Sequence, residues 1–134
     1  MQAALERLVR ERAGGMCEYC RLGQEFTELP FVIDHIIAKQ HGGATVEGNL
    51  AVSCEFCNRH KGPNIAGVDP DTNAIVPLFN PRNERWTDHF RWDGATVVGL
   101  TPSARATIRT LSMNHPVQWF RRSALLAEGG SLNT

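Results

Sequence analysis

The sequence predicts an α+β protein in which a strand–loop–strand–helix unit sits between a short N-terminal helix and an extension made of a β-hairpin and two helices. Three observations carry that prediction. Two Cys-x-x-Cys pairs, Cys17/Cys20 and Cys54/Cys57, account for all four cysteines of the 134-residue chain. Between them, the apolar runs Phe31-Val32-Ile33 and Leu50-Ala51-Val52 flank a loop rich in glycine. Beyond them, a hairpin dipeptide is followed by two stretches of helical periodicity. A chain of this length suits one domain with a modest core, here residues 1–134, with the central unit at about 14–62 and the extension at about 63–128.

From Gln2 to Ala13, Leu5, Leu8 and Val9 fall at i, i+3 and i+4 between charged residues, one face of a helix that Gly14-Gly15 ends. Met16 to Cys20 forms a tight loop able to present two thiolates to one ion. Phe31 to Ile33 is read as a strand leading into Asp34-His35, and His41 to Asn49 as a loop. Leu50 to Val52 is the returning strand. Asn58 to Lys61 then allows one or two helical turns before Gly62-Pro63. Asp69 to Asn73 is a turn, with a strand from Ile75 to Phe79. Asp93-Gly94 is the favoured two-residue hairpin dipeptide, flanked by Phe90-Arg91-Trp92 and Ala95 to Leu100. Thr101-Pro102 reads as an N-cap and N1 proline, with Ala104, Ile108 and Leu111 on one helical face. A last helix starts near His115-Pro116, with Val117, Phe120, Ala124 and Leu125 expected inward.

Lysine plus arginine balances aspartate plus glutamate at 14 each, so the whole-chain charge names no partner. The balance conceals a split: residues 82–122 carry seven arginines (Arg82, Arg85, Arg91, Arg105, Arg109, Arg121, Arg122) against three acids, and could form a phosphate-facing surface. Apolar runs are too short to cross a membrane, and Met1 to Arg12 lacks the apolar centre of a signal peptide. A soluble protein of the cytoplasm is expected. In that reducing setting, paired cysteines read as metal ligands before disulfides.

Zinc takes a tetrahedron of thiolates, and two Cys-x-x-Cys turns supply all four. A closed Cys17/Cys20/Cys54/Cys57 site leaves no position for water, so this zinc is expected to be structural. Chemistry then falls to other residues. Asp34 is a hard oxygen ligand and Asn58 a neutral one, a pair suited to Mg²⁺ or Mn²⁺ with room for water and phosphate oxygens. His35 is the natural general base for water near neutral pH.

Taken together, Cys17-x-x-Cys20, Asp34-His35-Ile36, Asn49-Leu50 and Cys54-x-x-Cys57-Asn58-x-x-Lys61-Gly62 resemble the HNH endonucleases, the treble-clef or ββα-metal nucleases. The resemblance covers about residues 14–62. It implies a ββα-metal core in which His35 is the general base, Asp34 and Asn58 bind one divalent cation, and Asn49 braces the loop holding the base. It also implies hydrolysis of phosphodiester bonds in DNA, leaving 5′-phosphate and 3′-hydroxyl ends. Many members have His where this chain has Asn58, and an amide oxygen there favours Mg²⁺ or Mn²⁺. His41, Arg59 and Lys61 are candidates for contact with nucleic acid. The competing expectation is a zinc-stabilised nucleic-acid-binding module that does not cleave. Trp86, Trp92 and Trp119 are read as packing residues, and His60 is expected to point away from Asn58 because it lies about 200° further round a helix.

Overall fold

A computed structural model of the chain describes residues 1–134. Its five helices and three small antiparallel sheets are arranged around the strand pair β1 (Val32–His35) and β2 (Leu50–Ser53). These strands run antiparallel with Asp34 opposite Ala51 and His35 opposite Leu50. Since neighbouring strand residues face opposite sides, Asp34 turns into the core while His35 stays at the surface. Helix α2 (Glu55–Lys61) follows β2 directly. It starts three residues earlier than the sequence reading placed it, because the Cys54 sulfur caps it by accepting from the Cys57 backbone N–H at 3.3 Å. Its last turn closes on Gly62 with φ 52° and ψ −140°, a conformation only glycine adopts without strain.

Helix α1 (Ala3–Ala13) lies across the strand pair. Arg10 donates to the Phe31 carbonyl, and Arg12 to the carbonyls of Glu47 and Leu50. Its buried face is Val9 and Ala13 with Leu5 packed alongside, whereas Leu8, expected inward, faces out. The buried residues follow the i, i+4, i+8 row. The first knuckle is tied to β2 by its own backbone: Glu18 N–H donates to the Val52 carbonyl, and the Glu18 carboxylate accepts from Val52 N–H. The same carboxylate pairs with Arg82.

The extension begins with β3 (Ala66–Val68) and β4 (Ile75–Pro77), joined by the Asp69–Asn73 turn. The second strand stops two residues short of the expected Phe79, whose N–H leaves the ladder and donates to Thr107 Oγ1 at 2.8 Å. After the single turn α3 (Trp86–His89) come β5 (Phe90–Asp93) and β6 (Thr96–Gly99). Asp93 pairs with Thr96, so the hairpin turn is Gly94-Ala95, one residue later than the Asp93-Gly94 read from sequence. Only Gly94 has positive φ, the pattern of a type II′ turn with glycine first. Helix α4 (Pro102–Thr110) starts as expected, with Thr101 Oγ1 accepting from Ala104 N–H.

Helix α5 (Pro116–Ala127) departs most from expectation. Val117 and Ala124 are exposed, and Phe120 is 71% exposed, whereas Gln118 and Arg122 are buried. A polar face points inward because it finds partners there, described below. The arginines of residues 82–122 likewise do not make one basic surface. Arg82 pairs with Glu18, Arg105 with Asp69 and Asp71, and Arg122 is buried. Trp86 is buried and donates to the Tyr19 carbonyl, while Trp119 lies at the surface and donates to Thr96. A continuous core cluster runs from Val9 to Met113 and contains all four cysteines. No helix is long and apolar enough to cross a membrane.

Candidate active site and metal centre

Cys17 and Cys20 arrive from the first knuckle, Cys54 from the end of β2, and Cys57 from the first turn of α2. The four sulfurs lie within 4.8 Å of one another and are 1% exposed or less. Sulfurs held about 2.3 Å from a central zinc are about 3.8 Å apart along a tetrahedron's edge. The Cys20–Cys54 separation is 3.8 Å. Four sulfurs converging at that spacing, with no acid or histidine among them, fit zinc in a closed structural site.

Asp34, His35, Lys39, Asn58 and Gly62 line an open cleft of about 310 Å³. Three of the residues singled out from sequence thus meet at one place, because α2 runs back past the end of β1 and turns Asn58 toward it. Asn49 holds the loop between the strands. Its Oδ1 accepts from Ile37 N–H at 2.9 Å, and its Nδ2 donates to the carbonyls of Ile37 and Ala44 at 3.0 and 2.9 Å. One amide thereby closes the loop that follows His35. Gly43 lies against the same bracket, where a β-carbon would overlap the Ile37 carbonyl and crowd the Asn49 amide.

His35 Nε2 lies 2.9 Å from Thr45 Oγ1, on that loop. Burial, then the Lys39 charge, lowers the imidazole pKa below 6.5, and Lys61 acts in the same direction against the pull of Asp34. The ring is therefore neutral near pH 7.

Asp34 is buried and extensively bonded. Its Oδ2 accepts from the Tyr19 hydroxyl at 2.7 Å and from Lys61 Nζ at 3.1 Å, and its Oδ1 from Lys61 Nζ at 3.3 Å. Of the roughly four acceptor positions on a carboxylate, one on Oδ1 stays open, enough for a single bond to a cation. Burial raises the Asp34 pKa, with Lys61 and Tyr19 opposing it. Burial and the Asp34 charge push the Tyr19 hydroxyl well up, so it remains a donor. Asp34 and Asn58 border the same cleft, each with a side-chain oxygen.

Lys61 sits where the sequence reading did not put it. It is 1% exposed, and its three ammonium protons go to Asp34 and to the carbonyls of His35 and Ile36. It tethers the end of α2 to the end of β1 and leaves nothing for a phosphate. Arg59 is exposed and pairs with Glu55 one turn back. His41 is exposed on a 3-10 turn and does not line the cleft. His60 stacks on Phe56, away from Asn58 as expected. Thr45, Tyr19 and Lys39 went unremarked in the sequence. Only for Tyr19 was there a signal: it lies between two metal ligands, on a loop that had to be held close to β1.

With this geometry in view, the comparison with known families gives one match. Residues 17–64 match the family model described as HNH endonuclease. The match ties the core to a nuclease family and to nucleic acid. No curated protein and no solved structure matches the chain.

Proposed function

We propose that this HNH endonuclease domain hydrolyses phosphodiester bonds in DNA with His35 as general base and one Mg²⁺ or Mn²⁺ held by Asp34 and Asn58, the whole chain acting as one nuclease domain. The observation that carries the reading is the convergence of these three side chains on one open cleft. A cytoplasmic setting suits it, since thiols stay reduced there and available to zinc.

His35 does the proton transfer. Its Nε2 lies 2.9 Å from Thr45 Oγ1, and in the tautomer that donates Nε2–H to this hydroxyl Nδ1 is the ring's acceptor for a water's proton. His35 takes that water's proton as the oxygen attacks phosphorus in line with the departing 3′ oxygen. A divalent ion, when bound, neutralises the charge that develops on the departing oxygen. Asn49 and Thr45 keep the imidazole at one angle, which matters because misplacement of a base by about 1 Å costs about 10²-fold. Lys39, exposed beside His35, is assigned to the phosphate flanking the cut. The products are a 5′-phosphate and a 3′-hydroxyl.

One observation favours a second reading, a zinc-stabilised module that binds nucleic acid without cutting it. Asp34 is already bonded to Tyr19 and Lys61, and a carboxylate used only to lock the core needs no cation. Incubating supercoiled plasmid with the purified protein and Mg²⁺ or Mn²⁺ decides between them. Nicking by the wild type, abolished in His35→Ala at unchanged zinc content, is the expected result. Retention of plasmid without nicking under every divalent ion would establish the second reading.

A further inference from the structure

Helix α5 carries a buried face that an apolar core does not explain. Gln118 is 1% exposed, and its Nε2 approaches Cys20 Sγ and Cys54 Sγ at 3.7 Å and Cys57 Sγ at 4.0 Å. The amide is held in that orientation from its other end, where Oε1 accepts from Arg121 at 2.9 Å. One turn on, Arg122 is 2% exposed. It donates to the Ala95 carbonyl and Asn114 Oδ1 and lies over the Trp92 ring. No carboxylate pairs with Arg122. The guanidinium lies one helical turn from Gln118 on the same buried face of α5, the face whose amide meets the sulfurs. A buried guanidinium without a counter-charge costs several kcal/mol, and an amide aimed at three sulfurs gains little from neutral thiols. Four thiolates around a dication carry net charge −2, which answers both groups.

We propose that α5 is the outer wall of the zinc site: Gln118 donates hydrogen bonds to the zinc-bound thiolates, and Arg122 supplies the buried positive charge that offsets them. The C-terminal helix is thereby docked by the metal centre and not by its apolar residues, which accounts for Val117 and Phe120 facing solvent. Outer partners of metal ligands typically change metal affinity by about 10–100-fold when removed, and Gln118 and Arg122 fall in that class.

The inference rests on zinc occupying the four-cysteine site. Zinc affinity of the full chain is measured by competition with a chromophoric chelator for wild type, Gln118→Leu, Arg122→Met and the outward-facing control Phe120→Ala. Weakening of about 10-fold or more is expected in the first two variants and none in the control. In cobalt-loaded protein, the sulfur-to-metal charge-transfer band is expected to shift in Gln118→Leu. Should the variants fail to fold, wild type loaded with ¹¹³Cd is expected to show scalar coupling from cadmium to the Gln118 side-chain amide protons. Equal affinity in all four proteins, weakening in Phe120→Ala as large as in Gln118→Leu, or cadmium bound by four sulfurs without that coupling would each overturn the inference. Wild type that binds no zinc would overturn the zinc reading itself.

Discussion

The cysteine cluster and the His35 cleft share helix α2 and differ in almost everything else. The cysteine cluster is closed: all four sulfurs are buried, and the Gln118 amide from α5 lies against three of them. The His35 cleft is open: one imidazole, one free position on Asp34 and the Asn58 amide face about 310 Å³ of accessible space. Cys57 and Asn58 are adjacent on α2, so one peptide bond separates a closed site from an open one. A soft, saturated site can hold a fold, whereas a hard, unsaturated one can turn over a substrate. Tyr19 makes the same connection from the other knuckle, lying between two cysteines and bonded to Asp34. Both oxygen ligands proposed for the catalytic ion are therefore aimed by residues next to zinc ligands.

The sharpest way to break this comparison is to remove the closed site. A chelator strong enough to strip the four cysteines is expected to unfold residues 14–62, since such sites supply about 10–16 kcal/mol in small peptides. Circular dichroism is the readout, and an unchanged spectrum after verified zinc loss would show that the packing stands without the staple. Next in size is the open site. His35→Ala is expected to lower plasmid nicking by about 10²–10⁴-fold with zinc content and melting temperature unchanged, which separates the two regions cleanly.

Asn49→Ala comes next in effect. It removes three hydrogen bonds that close the loop after His35. A fall in kcat of about 10²-fold is expected from a displaced base, with DNA binding measured by gel shift retained; an equal loss of binding would mean that the loop contacts substrate directly. Asn58→His tests the ligand set, because an imidazole should extend activity to Ni²⁺ or Zn²⁺, and an identical metal profile would remove Asn58 from the ligands. The smallest effect concerns pH. The His35 pKa is lowered, so the neutral base is present above it and cleavage falls as pH drops through a value below 6.5. Lys39→Gln removes one of the positive charges responsible and should move that acid limb to higher pH; a limb that stays in place would exclude Lys39 as its cause.

The sequence made the central unit legible because its signals are local. Cys-x-x-Cys is a turn that pairs its own sulfurs, β-branched runs make strands, and Gly62 stops a helix that needs one residue with positive φ. The order strand, loop, strand, knuckle, helix followed from these and is the order found. The extension was read less well where local pattern competed with distant partners. Leu8 and Phe120 are apolar and helical, and both face solvent. Lys61 and Arg122 are cations that a sequence reading assigns to the surface, and both are buried. Each finds its counter-charge or carbonyls in a segment away along the chain: Lys61 at Asp34, His35 and Ile36, and Arg122 at the Ala95 carbonyl and over Trp92.

What the sequence alone determined is which atoms are available: four thiolates at knuckle spacing, an Asp-His pair at a strand end, and an asparagine one residue after the last cysteine. Ligand chemistry and short-range geometry follow from residue type and spacing, and both can be read along the chain. Only the tertiary structure decided which of those atoms remain free. Asp34 could be read as a candidate oxygen ligand from its neighbours, but that Tyr19 and Lys61 leave it about one open position depends on how two knuckles and a helix meet. Nor could spacing show that α5 turns the Gln118 amide toward the cysteine cluster, because that target exists only once four sulfurs from two distant turns have come together.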